Sequence, residues 1–385
     1  MTIGIPKEIM PGEARVAATP ETIKKFIADG ATVLVESGAG ESSLYYDEQY
    51  IEAGAKLVND TQELFDKSDL ILKVKEPLFN EKLQKHEVDM MHKGQHLITF
   101  IHPASPVNHE MVKHLAQKGV TSFTLDSIPR ISRAQNMDAL TSMSTCAGYK
   151  GIIMAADDLT IFMPQLFTAV GMLKPANVLV IGAGVAGLQA LATARRLGAI
   201  TYAMDIRPAG NEQAGSLGAK TINLGIPEEL AVGKGGYAQT LPEEWLQKER
   251  EKIAEVIKDM DIVFCSALIP GKIAPILITE DMIKTMKNGS VIVDISIDQG
   301  GNCEMTAPGK KIRAHNVTIQ GIKNIPGLIP TSSTWMFSNN VYNLVKYLTK
   351  DGEINIDLND EITSSILVTH NEEIVHTGAR EAMKI

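Results

Sequence analysis

Short apolar runs alternate with amphipathic segments over the first 125 residues of the chain. TIGIP (2–6) and the β-branched run ATVLVE (31–36) are typical of strands. Between them, PETIKKFIADG has helical spacing, and we predict a helix that begins at Pro20 and ends at Gly30. The same reasoning predicts strands at LILKVK (70–75), HLITFI (96–101) and TSFTL (121–125) and a helix at NHEMVKHLAQKG (108–119). This alternation predicts a parallel sheet with helices on both faces.

A second series of the same kind follows. NVLVIGAGVAGLQALATARRLGA (177–199) predicts a strand, a tight turn and a helix, and later strands are predicted at ITYAMD, MDIVFCSAL and GSVIVDIS. Residues 144–168 predict a long helical connector. Residues 331–352 predict a long helix, ended by Gly352, that crosses back to the first lobe, with a loosely packed polar tail after 353.

These elements predict an α/β fold of two Rossmann-like lobes with parallel sheets, joined by long helices across a cleft. We expect the first lobe to contain residues 1–140 and to be completed by 327–385. The second lobe is expected to contain residues 141–326.

Composition and charge narrow the classes of partner. A net charge of −9 over 385 residues disfavours nucleic acid and direct adsorption to an anionic membrane surface. No apolar run reaches about 18 residues, so we expect no membrane insertion, and the start MTIGIPKEIMPGEAR is neither a signal nor a transit peptide. Three cysteines without CxxC spacing indicate buried thiols in a reducing cytosol. Nine histidines without ligand spacing predict no bound metal.

The strand-turn-helix at 177–199 carries the spacing G-x-G-x-x-G at Gly182, Gly184 and Gly187. In this context the glycines allow a tight turn, close approach of a pyrophosphate, and close packing of helix on strand. Asp205 ends the next strand, 205 − 187 = 18 residues later, where a carboxylate accepts hydrogen bonds from ribose hydroxyls and favours NAD(H) over NADP(H). Arg207 leaves the alternative open, because an arginine can serve a 2′-phosphate. A glycine-rich turn that binds nothing is the remaining interpretation.

Several longer motifs give the chain a family resemblance. IPKE…PGEARVAATP, VLVIGAGVAGLQA, ALIPGKIAPILIT and VIVDISIDQGGNCE resemble the alanine dehydrogenase and nicotinamide nucleotide transhydrogenase superfamily. RISRAQNMDALTSMSTCAGY and GKGGYAQTL (233–241) resemble the transhydrogenase branch. That resemblance implies an NAD(H)-binding subunit that exchanges hydride with NADP(H) on a partner subunit. It further implies membrane-spanning partner subunits that couple the exchange to proton movement, a homodimer, and a cytoplasmic location at the inner membrane.

The resemblance also implies roles for particular residues. The polar stretch 130–144 has few large apolar side chains, and four of its residues match positions beside the nicotinamide and its ribose in the family: Arg130, Gln135, Asp138 and Thr141. Further cofactor-binding positions, besides the glycines and Asp205, are Ser132, Arg133, Val185, Ile206, Arg207, Gly236, Tyr237 and Leu268. The glycine-rich stretch 233–241 is expected to form a lid over bound nucleotide, or else an ordinary surface loop.

The dehydrogenase branch supplies a second hypothesis. Arg15, Lys75, His102 and Asp298 match residues that alanine dehydrogenases place around pyruvate, and NIPGLIPTSST is closer to that branch. There, the arginine and lysine would bind the carboxylate and keto oxygen, the histidine would act as acid and base, and the aspartate would support the amine. We interpret the four as an inherited site that need not act, with a working alanine dehydrogenase as the alternative. A nucleotide-binding scaffold without catalysis is a third possibility.

Overall fold

The computed structural model describes residues 1–233, 236, 238–269 and 273–385. They form two compact units, one of residues 1–143 with 327–385 and one of residues 144–326. The strands, in chain order, are β1 (Thr2–Ile5), β2 (Thr32–Glu36), β3 (Lys56–Val58), β4 (Leu70–Leu72), β5 (Phe79–Asn80), β6 (Lys85–His86), β7 (His96–Thr99), β8 (Thr121–Thr124), β9 (Leu166–Thr168), β10 (Gly171–Leu173), β11 (Asn177–Ile181), β12 (Ile200–Met204), β13 (Lys220–Thr221), β14 (Ile262–Cys265), β15 (Val291–Asp294), β16 (Lys311–Ala314), β17 (Val317–Gln320), β18 (Thr349–Lys350), β19 (Glu353–Ile354), β20 (Leu367–His370) and β21 (Glu373–Ile374).

The helices connect these strands and cover the sheets. In chain order they are α1 (Pro20–Ala28), α2 (Asp47–Glu52), α3 (Thr61–Lys67), α4 (Glu87–Met90), α5 (His109–Gln117), α6 (Ala139–Asp158), α7 (Val185–Arg196), α8 (Pro208–Ser216), α9 (Glu228–Ala231), α10 (Glu243–Ile257), α11 (Glu280–Thr285), α12 (Pro330–Leu348), α13 (Glu361–Ile366) and α14 (Thr377–Met383). Within the described residues, no helix combines the length and hydropathy needed to cross a bilayer.

The first unit is built on an eight-stranded sheet with the order β21-β20-β8-β7-β4-β1-β2-β3. Neighbours from β8 to β3 pair in parallel, as the alternating pattern predicted. Their apolar runs are buried: Ile3, Ile5 and Leu70 are fully excluded from solvent. Helix α1 begins at Pro20 behind a capping box formed by Thr19 and Thr22, and its chain reverses at Gly30, where φ is +91°.

The C-terminal segment corrects two predictions. Helix α12 ends at Leu348, and Gly352 instead lies in the tight turn between β18 and β19, where φ is +84°. The tail is not loosely packed, because β20 pairs antiparallel with β8 and β21 pairs with β20. Ile366 and Val368 are fully buried. The segment after residue 353 is polar on average, so the sequence analysis did not recognise its short apolar run at 366–368. This run includes the start of β20, which extends the sheet.

The second unit contains a seven-stranded sheet with the order β13-β12-β11-β14-β15-β17-β16. All neighbours pair in parallel except β16, which pairs antiparallel with β17. The parallel part has the strand order of a doubly wound dinucleotide-binding domain. Alternate residues of β11 point to opposite faces, with Val178 and Val180 in one apolar cluster and Leu179 and Ile181 in the other.

The predicted connector is shorter and begins earlier than expected. Helix α6 starts at Ala139 and ends at Asp158, and residues 166–173 form the antiparallel hairpin β9–β10. Two consecutive acidic residues, Asp157 and Asp158, oppose the negative end of the helix dipole, and Pro164 lacks the amide needed to continue it. The three cysteines, all within the described residues, are buried thiols outside any disulfide, as predicted.

Candidate functional site

The glycine turn joins β11 to α7 in the second unit. Gly182 has φ +91°, and a Cβ atom there would stand 2.7 Å from the carbonyl oxygen of Ser266. A Cβ atom on Gly187 would overlap the carbonyl oxygen of Gly182. Both positions therefore require glycine for the close packing of helix, turn and strand. The turn is fixed to the next strand by a 2.8 Å hydrogen bond from the Gly182 amide to the carbonyl oxygen of Met204.

Gly184 differs from the other two glycines. Among the residues that the structure describes, an added Cβ atom would meet nothing within 4 Å, so none of them fills the space in front of Gly184. Gly184 is also the N-cap of α7 and, as a glycine, provides no side-chain cap. The amides of its first turn, from Val185 to Gly187, thus present partial positive charge to the open space. A pyrophosphate group fits this arrangement of backbone donors and room.

Asp205 follows β12 directly, beside the glycine turn, and is only 5% exposed. Its Oδ2 atom accepts a 2.7 Å hydrogen bond from the amide of Ala183 and a 2.8 Å bond from Nη2 of Arg207. Its Oδ1 atom accepts from the amide and Nε of Arg207, at 2.8 and 3.0 Å. Gly210 allows this position, because a Cβ atom there would come within 2.6 Å of the Asp205 carboxyl carbon. The acid predicted to accept ribose hydroxyls is already paired with the arginine whose role was left open.

A buried acid that the sequence analysis missed lies on α10 near Asp205. Glu249 is 5% exposed. Burial raises the pKa of Glu249 to about 7, the negative charge of Asp205 adds to the effect, and Arg250 opposes it. Glu249 precedes the buried Ile253 and Ile257 at helical spacing, which was an available signal that it faces the sheet.

The structure gives fewer contacts for the predicted loop at 233–241 and for three single positions. Tyr237 lies outside the described residues, whereas the carbonyl oxygen of the exposed Gly236 accepts a 3.4 Å bond from Nη1 of Arg207. Leu268 follows β14 and is partly buried, as is Ile206 after Asp205. Asp298 is an exposed residue of the second unit, 3.5 Å from the amine of Lys323.

The polar stretch 130–141 belongs to the first unit. Residues 132–137 form a 3₁₀ helix that buries Ala134 and Met137, while Arg130, Ser132, Arg133 and Gln135 are exposed. Asp138 accepts hydrogen bonds from the amide and the hydroxyl of Thr141, at 2.8 and 2.6 Å, and so caps the start of α6.

The same stretch is fastened to the C-terminal segment. The guanidinium of Arg133 donates to the hydroxyl of Tyr347 and pairs with Asp360, both at 3.0 Å. The side-chain amide of Asn340 on α12 donates to the carbonyl oxygen of Asn136 at 2.9 Å. These polar contacts explain how a segment with few large apolar side chains is held in place.

The first unit also contains three of the four residues of the dehydrogenase-like set. Arg15 is 3% exposed and makes a bidentate pair with Glu13, with distances of 2.6 and 2.7 Å. The Nδ1 atom of His102 lies 2.7 Å from Oδ1 of Asp126. Partial desolvation disfavours the charged imidazole, but the Asp126 carboxylate outweighs it and raises the pKa of His102, while Lys75 opposes that rise.

The first unit also contains a buried ion triad, which the sequence analysis missed. Lys73 is fully buried, and its amine lies 2.8 Å from Glu87 and 3.4 Å from Glu8. Burial raises the pKa of Glu8 to about 7, although Lys73 opposes that effect. A lysine inside the apolar run LILKV was the available signal. Strand β4 ends at Leu72, three residues before its predicted end. Within the described residues, no group of three or more His, Cys, Asp or Glu side chains is placed to hold a metal ion.

These features define a class of protein: an α/β chain of two units, the second with the strand order and glycine turn of a dinucleotide-binding domain. The model for the alanine dehydrogenase/PNT N-terminal domain matches residues 4–147, and that for the C-terminal domain matches residues 151–377. The chain belongs to this family, and both the family and the α/β fold predicted from the sequence are confirmed.

Individual relatives come from both branches of the family. An NAD(P) transhydrogenase alpha-subunit chain of Rhodospirillum rubrum is 40% identical over 379 residues, which cover 98% of either chain. The alanine dehydrogenase of Staphylococcus saprophyticus is 32% identical over 393 residues, covering 100% of this chain and 97% of that one. The solved structure of a transhydrogenase from Sinorhizobium meliloti superposes with a TM-score of 0.83, at 36% identity, covering 98% of this chain and 99% of that chain.

Proposed function

We propose that this chain is the NAD(H)-binding subunit of a proton-translocating transhydrogenase. The observation that carries the proposal is the glycine turn at 182–187, where the described part of the chain leaves the space in front of Gly184 open at the start of a twelve-residue helix. The comparisons support the transhydrogenase branch, with 40% identity to a transhydrogenase subunit against 32% to an alanine dehydrogenase.

Within this proposal the second unit binds and orients the nucleotide. The amides at the start of α7, including that of Val185, hold the pyrophosphate, and Asp205 accepts the hydroxyls of the adenosine ribose. Bound NAD(H) supplies the hydride chemistry. Ile206, Gly236, Tyr237 and Leu268 are proposed to line the same site.

The first unit contributes positioning groups. Arg130, Gln135 and Thr141 are proposed to orient the nicotinamide and its ribose, together with Ser132 and Arg133. Asp138 fixes the amide and hydroxyl of Thr141 through its two hydrogen bonds, so that the hydroxyl keeps one orientation. These groups hold and orient, and none of them needs to gain or lose a proton during hydride transfer.

The proposed partners follow from the branch of the family. NADP(H) is bound on a partner subunit, and membrane-spanning subunits couple hydride transfer to proton movement. The chain itself would then be attached peripherally, on the cytoplasmic side of the inner membrane. A net charge of −9 and the absence of a spanning helix in the described residues agree with attachment through proteins.

Gly184→Ala is the sharpest test of the nucleotide site. Alanine accepts the backbone angles of this residue, φ −81° and ψ −167°, and its methyl group would meet no atom within 4 Å in the part of the chain that the structure describes. The fold should therefore keep its thermal stability, whereas NADH affinity, followed by NADH fluorescence, should fall at least about tenfold because the methyl group occupies the pyrophosphate space. Gly215→Ala is the matched control, since the one contact of its Cβ atom within 4 Å among the described residues would be with Thr221, at 3.8 Å. Unchanged NADH affinity in Gly184→Ala would remove the proposed site.

Hydride transfer requires a second assay. The purified chain is mixed with an NADP(H)-binding transhydrogenase subunit, and reduction of an NADP⁺ analogue by NADH is followed by absorbance. The proposal expects exchange that depends on both proteins and is lost with Gly184→Ala. NADH binding without exchange at saturating partner would favour a nucleotide-binding scaffold.

We further propose a homodimer, for which the β9–β10 hairpin offers a surface. Residues 166–173 carry no charge, and the side chains of Phe167 and Val170 are 78% and 98% exposed. Apolar groups exposed together in this way mark association surfaces. Sedimentation of the wild type should give a dimer, and Val170→Asp should shift it toward the monomer. A wild-type monomer at all concentrations would refute the proposal.

Alanine dehydrogenase activity is kept as a second candidate because of the His102–Asp126 pair at 2.7 Å. A carboxylate that orients an imidazole is a common arrangement for a general acid and base. The assay is turnover of alanine and NAD⁺ by the chain alone at alkaline pH, with His102→Ala as the control. Turnover that His102→Ala abolishes would establish this activity, and its absence at every pH would remove it.

A further inference from the structure

The carboxylate of Asp205 has its hydrogen-bonding capacity filled by the protein itself. Four donors reach it at 2.7–3.0 Å: the amides of Ala183 and Arg207, and the Nε and Nη2 groups of Arg207. A carboxylate offers about four lone-pair sites. The two hydroxyls of an adenosine ribose therefore have no acceptor position here unless some of these donors leave.

Only half of these donors can leave without movement of the main chain. Each carboxylate oxygen holds one backbone amide, from Ala183 on Oδ2 and from Arg207 on Oδ1. Each oxygen also holds one guanidinium donor, Nη2 on Oδ2 and Nε on Oδ1. Rotation of one side chain thus frees one position on each oxygen. Two vicinal hydroxyls need the same two positions.

The remaining contacts of the guanidinium are weaker. Its Nη1 atom lies 3.4 Å from the carbonyl oxygen of Gly236, and its Nη2 atom lies 3.5 Å from that of Ala183. The side chain of Arg207 keeps 18% of its surface exposed, so it has a route to solvent. Asp205 is the dominant partner of Arg207. The loss of this charge-assisted pair, when hydroxyl groups take the place of the guanidinium on Asp205, is therefore the main cost of moving the arginine.

Resting on the proposed function, we propose that Arg207 competes internally with the adenosine ribose for Asp205 and thereby sets the preference between NAD(H) and NADP(H). NAD(H) gains the two acceptor positions only by displacing the guanidinium. NADP(H) carries a 2′-phosphate that the displaced guanidinium can bind, so that the arginine offsets the repulsion between that phosphate and Asp205. The protein consequently discriminates between the two nucleotides less strongly than a lone aspartate would.

The test measures the affinities of NADH and NADPH by fluorescence and calorimetry, without any turnover. Arg207→Ala should bind NADH about three- to tenfold more tightly, since a charge-assisted pair no longer has to be broken. The same variant should bind NADPH at least about tenfold more weakly, because Asp205 then faces the phosphate alone. Arg196→Ala, which removes an exposed charge at the other end of α7, is the control and should leave both affinities unchanged.

The opposite result would overturn the inference. If Arg207→Ala weakens NADH binding, the arginine is an ordinary contact to the nucleotide and not a competitor. Arg207→Lys guards against a folding failure of the alanine variant: it keeps the charge but loses the two-pronged pairing, so NADH should bind more tightly and NADPH should still bind. A wild-type chain that binds neither nucleotide would instead refute the proposed function, before the role of Arg207 arises.

Discussion

Replacing Glu249 by glutamine removes a carboxyl group that the second unit holds almost completely out of water. Glu249 is 5% exposed, and burial, reinforced by the charge of Asp205, raises its pKa from 4.5 to about 7. In the unfolded chain the group ionises near its ordinary value. Between these two values, the unfolded state loses the proton while the folded state retains it, so stability falls as the pH rises.

The magnitude follows from the size of this shift. A difference of 7 − 4.5 = 2.5 units, at about 1.4 kcal/mol for each unit, corresponds to on the order of 3 kcal/mol. Most of this loss, about 2–3 kcal/mol, falls between pH 5 and pH 8, and it is complete once the pH exceeds the folded pKa. Glu249→Gln has no proton to lose. The variant should therefore gain about 2–3 kcal/mol relative to the wild type on going from pH 5 to pH 8.

Denaturant unfolding at the two pH values measures this difference. Trp245 lies on the same helix as Glu249, and in a Trp335→Phe background it is the only tryptophan, so its fluorescence reports the second unit. Glu251→Gln, an exposed change on α10, is the matched control and should show little change with pH. A stability difference between Glu249→Gln and the wild type that is the same at pH 5 and pH 8 would show that Glu249 is ionised in the folded protein, and the reasoning would fail.

Three further changes test the packing and electrostatics of each unit. Lys73→Met leaves two buried carboxylates without their cation and should cost about 3–5 kcal/mol in denaturant unfolding, whereas Lys67→Met breaks an exposed pair and should cost less than about 1 kcal/mol. Gly187→Ala places a methyl group against a backbone carbonyl and should lower both the melting temperature and NADH affinity, unlike the substitution at the second glycine of the turn. Asp126→Asn should lower the pKa of His102, as an imidazole NMR titration would show. An unchanged pKa of His102 would contradict its pairing with Asp126.

Local patterns were sufficient for the elements whose signal is contained in a few consecutive residues. The strand and helix around Gly182 were predictable because apolar strand residues, glycine spacing and helical spacing all occur within 23 residues, 177–199. The parallel order of the first sheet was predictable because strands buried on both faces have continuous apolar runs. Asp205 was found by its distance from the glycines, since the length of one helix and one strand fixes that distance.

Contacts between distant residues were not accessible in this way. Asp126 lies 24 residues after its partner His102, and Glu249 on α10 lies 44 residues after Asp205. Nothing in the local sequence specifies such neighbours, because the packing of separate elements brings them together. The prediction of the helical connector at 144–168 was wrong for a different reason. Apolar and polar residues continue past 158 at spacings compatible with a helix, and only the paired acids and Pro164 indicate the end of α6.

The double role of Asp205 determines which variants can separate binding from folding. Its carboxylate holds the amide of Ala183 inside the glycine turn as well as the guanidinium of Arg207. Asp205→Ala would therefore loosen the turn and remove the ribose acceptor at once, and a loss of NADH binding would have two explanations. Gly184→Ala and Arg207→Ala each leave the bond between Asp205 and Ala183 in place. Opposite effects of these two variants on NADH affinity, a loss for the first and a gain for the second, would assign the pyrophosphate and the ribose to separate regions of one intact site.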